Sequence, residues 1–107
     1  MQKVFYPVAK VGEVTPGTGR RVRVGEDTDC VLFCVSEGEY YATGYLCPHQ
    51  NEPLDLARLE ACEVICRRHH LRFDLRSGDC TNAGGYSLRT LDVKIEGDTI
   101  LVGQWEG

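Results

Sequence analysis

Short stretches in which apolar and polar residues alternate, punctuated by glycine-bearing turns, recur along the chain and point to β structure throughout. In Arg21-Val22-Arg23-Val24 the valines face one way and the arginines the other, the period of a half-buried strand. Alternation of this kind runs through residues 3–33. Stretches rich in Val, Ile, Tyr and Thr then recur at 30–35, 39–45, 91–95 and 99–103, which makes five strands legible from pattern alone. Ser36-Glu37-Gly38, Ser77-Gly78-Asp79 and Glu96-Gly97-Asp98 each place a glycine where a tight turn needs positive φ. Only residues 52–60, with leucines at 54, 56 and 59 behind Pro53, offer a short helical turn. No repeat, linker or low-complexity segment interrupts the pattern. Residues 1–107 are therefore expected to form a single all-β domain of antiparallel sheets, a sandwich or barrel with its function on the loops.

Charge and hydropathy narrow the function. Twelve Lys and Arg against sixteen Asp and Glu leave a net charge of −4, which argues against nucleic acid or an anionic membrane as partner. The longest apolar run, Val31-Leu32-Phe33-Cys34-Val35, is about a quarter of a membrane-spanning helix, and no basic segment leads into an apolar one at the start. The expectation is a soluble, unexported, cytoplasmic protein. Tyr6, Tyr40, Tyr41, Tyr45, Tyr86 and Trp105 are expected to pack in the core or at sheet edges, since a stacking platform for nucleic acid would need basic residues among them.

Six cysteines without an export signal suggest metal, catalysis or plain burial rather than disulfides. Two motifs stand apart: Cys47-Pro48-His49 and, after sixteen intervening residues, Cys66-Arg67-Arg68-His69. Each follows a strand-like segment, 40–46 and 63–65, so two loops brought together would present two thiols and two imidazoles to one metal centre. Tetrahedral zinc is the common occupant of a Cys₂His₂ set. Zinc knuckles usually space their ligands by two to four residues, however, and Cys47 and His49 have one residue between them. A pair of sulfide-bridged irons relieves this, because the cysteines can bind one iron and the histidines the other. Cys30, Cys34, Cys62 and Cys80 read as small buried or half-buried residues, with Cys30 and Cys34 on one face of a strand. A Cys62/Cys66 knuckle would compete with the better motif.

The pattern C-x-H, a gap of fifteen to seventeen residues, then C-x-x-H resembles the signature of Rieske [2Fe–2S] proteins. Phe73-Asp74-Leu75-Arg76-Ser77-Gly78 and the closing run from Leu88 to Asp98 are similar to Rieske ferredoxins as well. The resemblance implies a Rieske fold of three antiparallel sheets, with a small cluster-binding subdomain formed by two loops within about residues 46–76. It implies one Rieske-type [2Fe–2S] cluster, with Cys47 and Cys66 on the inner iron and His49 and His69 on the outer, reducible one. It further implies a one-electron carrier, not itself an enzyme, that takes electrons from a flavin-containing NAD(P)H ferredoxin reductase. It would pass them to a terminal oxygenase, a monooxygenase or dioxygenase of aromatic hydrocarbon catabolism. Once His49 and His69 are used, only His70 remains, too few histidines for the two-histidine iron site of a self-sufficient oxygenase.

Departures from the family pattern sharpen these expectations. Glu52 and Arg68 stand where the respiratory branch has loop cysteines, so no loop disulfide is expected. Leu71 and Phe73 stand where that branch has a serine and a tyrosine that donate to cluster sulfurs. Without those donors the potential is expected toward the low end of the roughly −150 to +300 mV Rieske range. His70 replaces a glycine usual in dioxygenase ferredoxins, and residues 81–85 lack the usual proline. Cys-Pro-His-Gln with Cys-Arg-x-His is more similar to toluene-monooxygenase ferredoxins than to the Cys-Thr-His-Gly type. Competing readings are a zinc-binding structural module, or a redox sensor, which would need an effector domain. Arg67, Arg68, Arg72 and Arg76 against Glu52, Asp55, Glu60 and Glu63 suggest a charge-polarised tip that orients partners.

Overall fold

The computed structural model describes every residue except Met1, Asp27, His49, Gln50, Arg68, His69 and Gly107. Among the described residues there are nine strands and no helix: β1 (Gln2–Lys10), β2 (Thr18–Val24), β3 (Thr28–Ser36), β4 (Glu39–Gly44), β5 (Arg58–Glu60), β6 (Glu63–Ile65), β7 (Arg72–Asp74), β8 (Thr90–Glu96) and β9 (Thr99–Glu106). The pairing is antiparallel throughout. Six strands form one sheet in the order β1-β9-β8-β4-β3-β2, and β5-β6-β7 form a second. The expected three sheets are thus two, because Ala42 and Thr43 of β4 pair with Leu91 and Thr90 of β8 and fuse two base sheets into one. That sheet curls: Val22 and Val24 from one edge and Tyr6 and Val8 from the other line the same core.

The apolar run at 31–35 is explained by β3, which is buried on both faces. Cys30, Leu32 and Cys34 point into the core enclosed by the curled sheet. Val31 and Phe33 point the other way, into a second core shared with β6, β7 and the loops around them. A strand that walls off two cores needs apolar residues at every position, not at alternate ones.

The three turn glycines adopt positive φ as expected, at Gly38, Gly78 and Gly97. At Gly78 the lack of a side chain matters twice, since a Cβ there would also collide with the Leu88 carbonyl. Residues 52–60 do not form a helical turn. Pro53 bridges to Leu46, Leu54 is buried in the second core, and Arg58–Glu60 becomes an edge strand on β6. The leucine spacing misleads here because Leu56 is 73% exposed and contributes to no helical stripe. Trp105 is also 60% exposed, outside either core, with the Lys3 ammonium 4.9 Å from its ring centre. Phe33→Ala should lower unfolding free energy by about 3–5 kcal/mol in urea denaturation, since a fully buried ring is lost. Trp105→Ala should cost less than about 1 kcal/mol.

Candidate metal centre

Two hairpin loops carry the cysteines, and both are closed in the same way. The first leaves β4 through Tyr45 and Leu46. In it the Cys47 N–H donates to the Glu52 carbonyl at 2.8 Å, and the Asn51 N–H donates back to the Cys47 carbonyl at 2.8 Å. The second joins β6 to β7. There the Cys66 N–H donates to the Leu71 carbonyl at 2.8 Å, and the His70 N–H donates to the Cys66 carbonyl at 3.0 Å. In each loop the fourth residue after the cysteine sits in the left-handed region, Asn51 at φ 55° and His70 at φ 57°. That explains the glycine usual at position 70. Asn and His are among the few side chains that tolerate this conformation, so His70 serves a backbone turn.

Both thiols are fully buried and face the same apolar cluster, which contains Phe33, Leu54, Val64, Phe73 and Leu88. None of the six cysteines forms a disulfide. Two buried thiols in one apolar cluster, with their own N–H and C=O groups already hydrogen-bonded, fit the inner, protein-covered side of an iron–sulfur cluster. His49 and His69 lie outside the described residues, as does Arg68. Among the described residues no three Cys, His, Asp or Glu side chains are grouped closely enough to hold a metal ion. Phe73 and Leu71, which carry no hydroxyl, lie in and against the same cluster.

The other thiols have different duties. Burial pushes the Cys30 and Cys34 thiols up, and Cys34 donates to the Ser36 carbonyl at 3.2 Å. Cys62 is half-buried against the second core, as is Tyr41, whose hydroxyl donates to the Glu39 carboxylate at 2.7 Å, so that its acidity falls. Cys80 donates to Asn82 at 3.5 Å.

The arginines divide differently from the sequence expectation. Arg72 is bound by Glu63 and Glu60, each at 2.8 Å, and Arg76 grips Asp74 with two bonds of 3.2 Å. These two neutralise carboxylates across and beside the small sheet and do not form a free cationic tip. Arg67 is exposed in the second loop. With Arg58, Ile65, Cys66 and His70 it lines a cleft of about 230 Å³. Sequence reasoning passed over Asn82, whose side chain bonds the backbone on both sides of Leu71.

The family model of the Rieske [2Fe-2S] domain matches residues 4–92. The ferredoxin component of biphenyl 2,3-dioxygenase from Rhodococcus jostii is 33% identical over 89% of this chain and 88% of its own length. The ferredoxin component of the alkene monooxygenase system from Xanthobacter autotrophicus is 30% identical over 92% of this chain and 80% of its own. Among solved structures, the ferredoxin of carbazole 1,9a-dioxygenase from Nocardioides aromaticivorans superposes with a TM-score of 0.83 at 29% identity, covering 92% of this chain and 95% of that one.

Two outcomes follow from this geometry. His70→Gly should retain any bound cluster, with stability within about 1 kcal/mol of wild type, whereas His70→Val should lose about 1–2 kcal/mol from left-handed strain. Loss of the visible spectrum in His70→Gly would instead make His70 a ligand. Arg72 holds the Glu60 carboxyl below its usual range, chiefly through their hydrogen bond, and Arg76 does the same to Asp74. Depressed folded-state values mean stabilisation that is present above the unfolded value of about 4 and lost as pH falls through the folded one. Urea midpoints should therefore decline below about pH 4, and Arg72→Gln should flatten that decline.

Proposed function

The chain belongs to the Rieske [2Fe–2S] domain family, and from that premise we propose that it is a one-electron carrier serving a terminal oxygenase. The observation that carries this reading is the pair of fully buried cysteines, each opening an identically closed hairpin, in a chain 30–33% identical to ferredoxin components of two oxygenase systems. Those two systems are a dioxygenase and a monooxygenase, so the chemistry of the oxygenase is left general. The reading takes residues 1–107 as one domain, acting in the cytoplasm and reduced by a flavin-containing NAD(P)H reductase. Among the described residues no helix is long and apolar enough to cross a membrane.

In this reading Cys47 and Cys66 would hold the inner iron through their thiolates, and His49 and His69 the outer one through their imidazoles. When bound, the cluster takes up and releases a single electron. The thiolates of Cys47 and Cys66 would place more negative charge on the buried side than the neutral imidazoles of His49 and His69 would on the outer side, which would favour reduction there. The apolar cluster around Cys47 and Cys66 excludes water from the sulfur side. Leu71 and Phe73 offer the sulfurs no hydroxyl proton, which favours a potential low in the Rieske range. Arg67 gives the edge next to Cys66 a positive charge that suits a partner with surface carboxylates, whereas Arg58 in the same cleft is paired with Glu60 at 3.1 Å.

The reading is tested by adding the purified protein to NADH, a flavin ferredoxin reductase and the oxygenase of a biphenyl dioxygenase system. NADH oxidation matched by oxygen uptake and product supports a carrier, and no turnover with a fully reduced cluster opposes it. Cys47→Ser, Cys66→Ser, His49→Ala and His69→Ala should each abolish the visible spectrum, whereas Cys62→Ser and Cys80→Ser should keep it. Stoichiometric zinc in colourless wild-type protein would favour the structural module. Reversing Arg67 and Arg68 to Glu should slow electron delivery several-fold at low salt and much less at high salt.

A further inference from the structure

The two cysteine loops match residue for residue in their closing hydrogen bonds, yet they differ at the sixth position after the cysteine. In the first loop that residue is Pro53, which has no N–H to satisfy. In the second it is Arg72, whose N–H points away from β6 and needs an acceptor. Asn82 supplies one: the Arg72 N–H donates to its Oδ1 at 3.1 Å, while its Nδ2 donates to the His70 carbonyl at 2.9 Å.

The surrounding backbone shows how this amide is used. After Gly78 the chain runs back along β7, with Cys80 bridging to Phe73 and the Thr81 N–H donating to the Arg72 carbonyl at 2.8 Å. At Asn82 the main chain leaves this pairing, and the side-chain amide continues it. One donor and one acceptor on a single planar group do what the next residue of a strand would do. The two anchored atoms flank Leu71, whose carbonyl receives the Cys66 N–H. They also fix the carbonyl of His70, the residue held in left-handed conformation.

We propose that Asn82 is a positioning residue for the metal centre: its amide locks the second cysteine loop, and thereby sets how Cys66 and His69 meet the cluster. The inference rests on the ligand reading above. It gives residues 81–85, which lack the proline usual there, a different means of holding the same loop. The first loop has its own closure in Pro53 and needs no such clamp.

The test compares wild type, Asn82→Ala and Asn82→Asp as holoproteins. Ala removes both arms, and Asp keeps the acceptor for Arg72 but replaces the donor to His70 with an oxygen. Three quantities are measured: electron paramagnetic resonance of the dithionite-reduced cluster, its midpoint potential, and loss of visible absorbance under an iron chelator. Expected are shifted or broadened g-values in both variants and a roughly tenfold faster cluster loss in Asn82→Ala, with far-UV circular dichroism unchanged. If Asn82→Ala does not fold, the isosteric Asp variant carries the same comparison. A lowered melting temperature with wild-type g-values, potential and cluster-loss rate would reduce Asn82 to a structural tie and overturn the proposal. Wild-type protein without a [2Fe–2S] signal would overturn the ligand reading itself, so the two failures are told apart.

Discussion

A thiol can be offered to a metal from inside an apolar core only if the backbone that carries it is satisfied by other partners. At Cys47 and at Cys66 this is achieved within the loop, by one bond from the cysteine N–H and one to its carbonyl. An unpaired buried amide would cost about 1–3 kcal/mol at each, so the closure is what lets both sulfurs sit in the same apolar wall. The rest of the small subdomain follows from that requirement. The fourth residue must turn left-handed to bring its N–H back, and β6 and β7 must be close enough to close the second loop. Phe33 and Val31 of β3 must face out of the curled sheet to give the subdomain a floor.

Two cores on either side of one strand also separate stability from redox function. The curled sheet keeps its own interior, with Ile100 and Val102 of β9 at full burial, independent of the cysteine loops. The small sheet is reinforced instead by exposed ion pairs, Arg72 with Glu60 and Glu63, and Arg76 with Asp74. Such pairs are individually weak in water, but here they link β5, β6 and β7, the strands that position the second loop. Arginines absorbed in this way, Arg58 on Glu60 among them, are unavailable to a partner, and among the described residues the cationic character of the site narrows to Arg67.

Much of this was legible in the sequence because it depends on local pattern. Alternating valines, turn glycines and the two Cys/His motifs each declare themselves within a few residues. What escaped depends on tertiary context. The leucines at 54, 56 and 59 read as a helical stripe, but Leu54 enters the second core while Leu56 points to solvent. The arginine-rich stretch read as a free positive face, although its pairing partners lie up to twelve residues away across the small sheet. Asn82 carried no signal at all, since an asparagine shortly before a Gly84-Gly85 pair reads first as an ordinary loop residue. His70 read as a departure from a family glycine, and only its backbone angle shows that the same turn is kept.

The central claim is that these two loops hold a [2Fe–2S] cluster with mixed cysteine and histidine ligation. Electron paramagnetic resonance of the dithionite-reduced protein tests it most directly. A rhombic signal whose average g-value lies clearly below that of all-cysteine [2Fe–2S] clusters, at one spin per chain, is the predicted result. A signal at the all-cysteine position would contradict the histidine ligands, and a silent sample after anaerobic reconstitution with iron and sulfide would contradict the centre altogether.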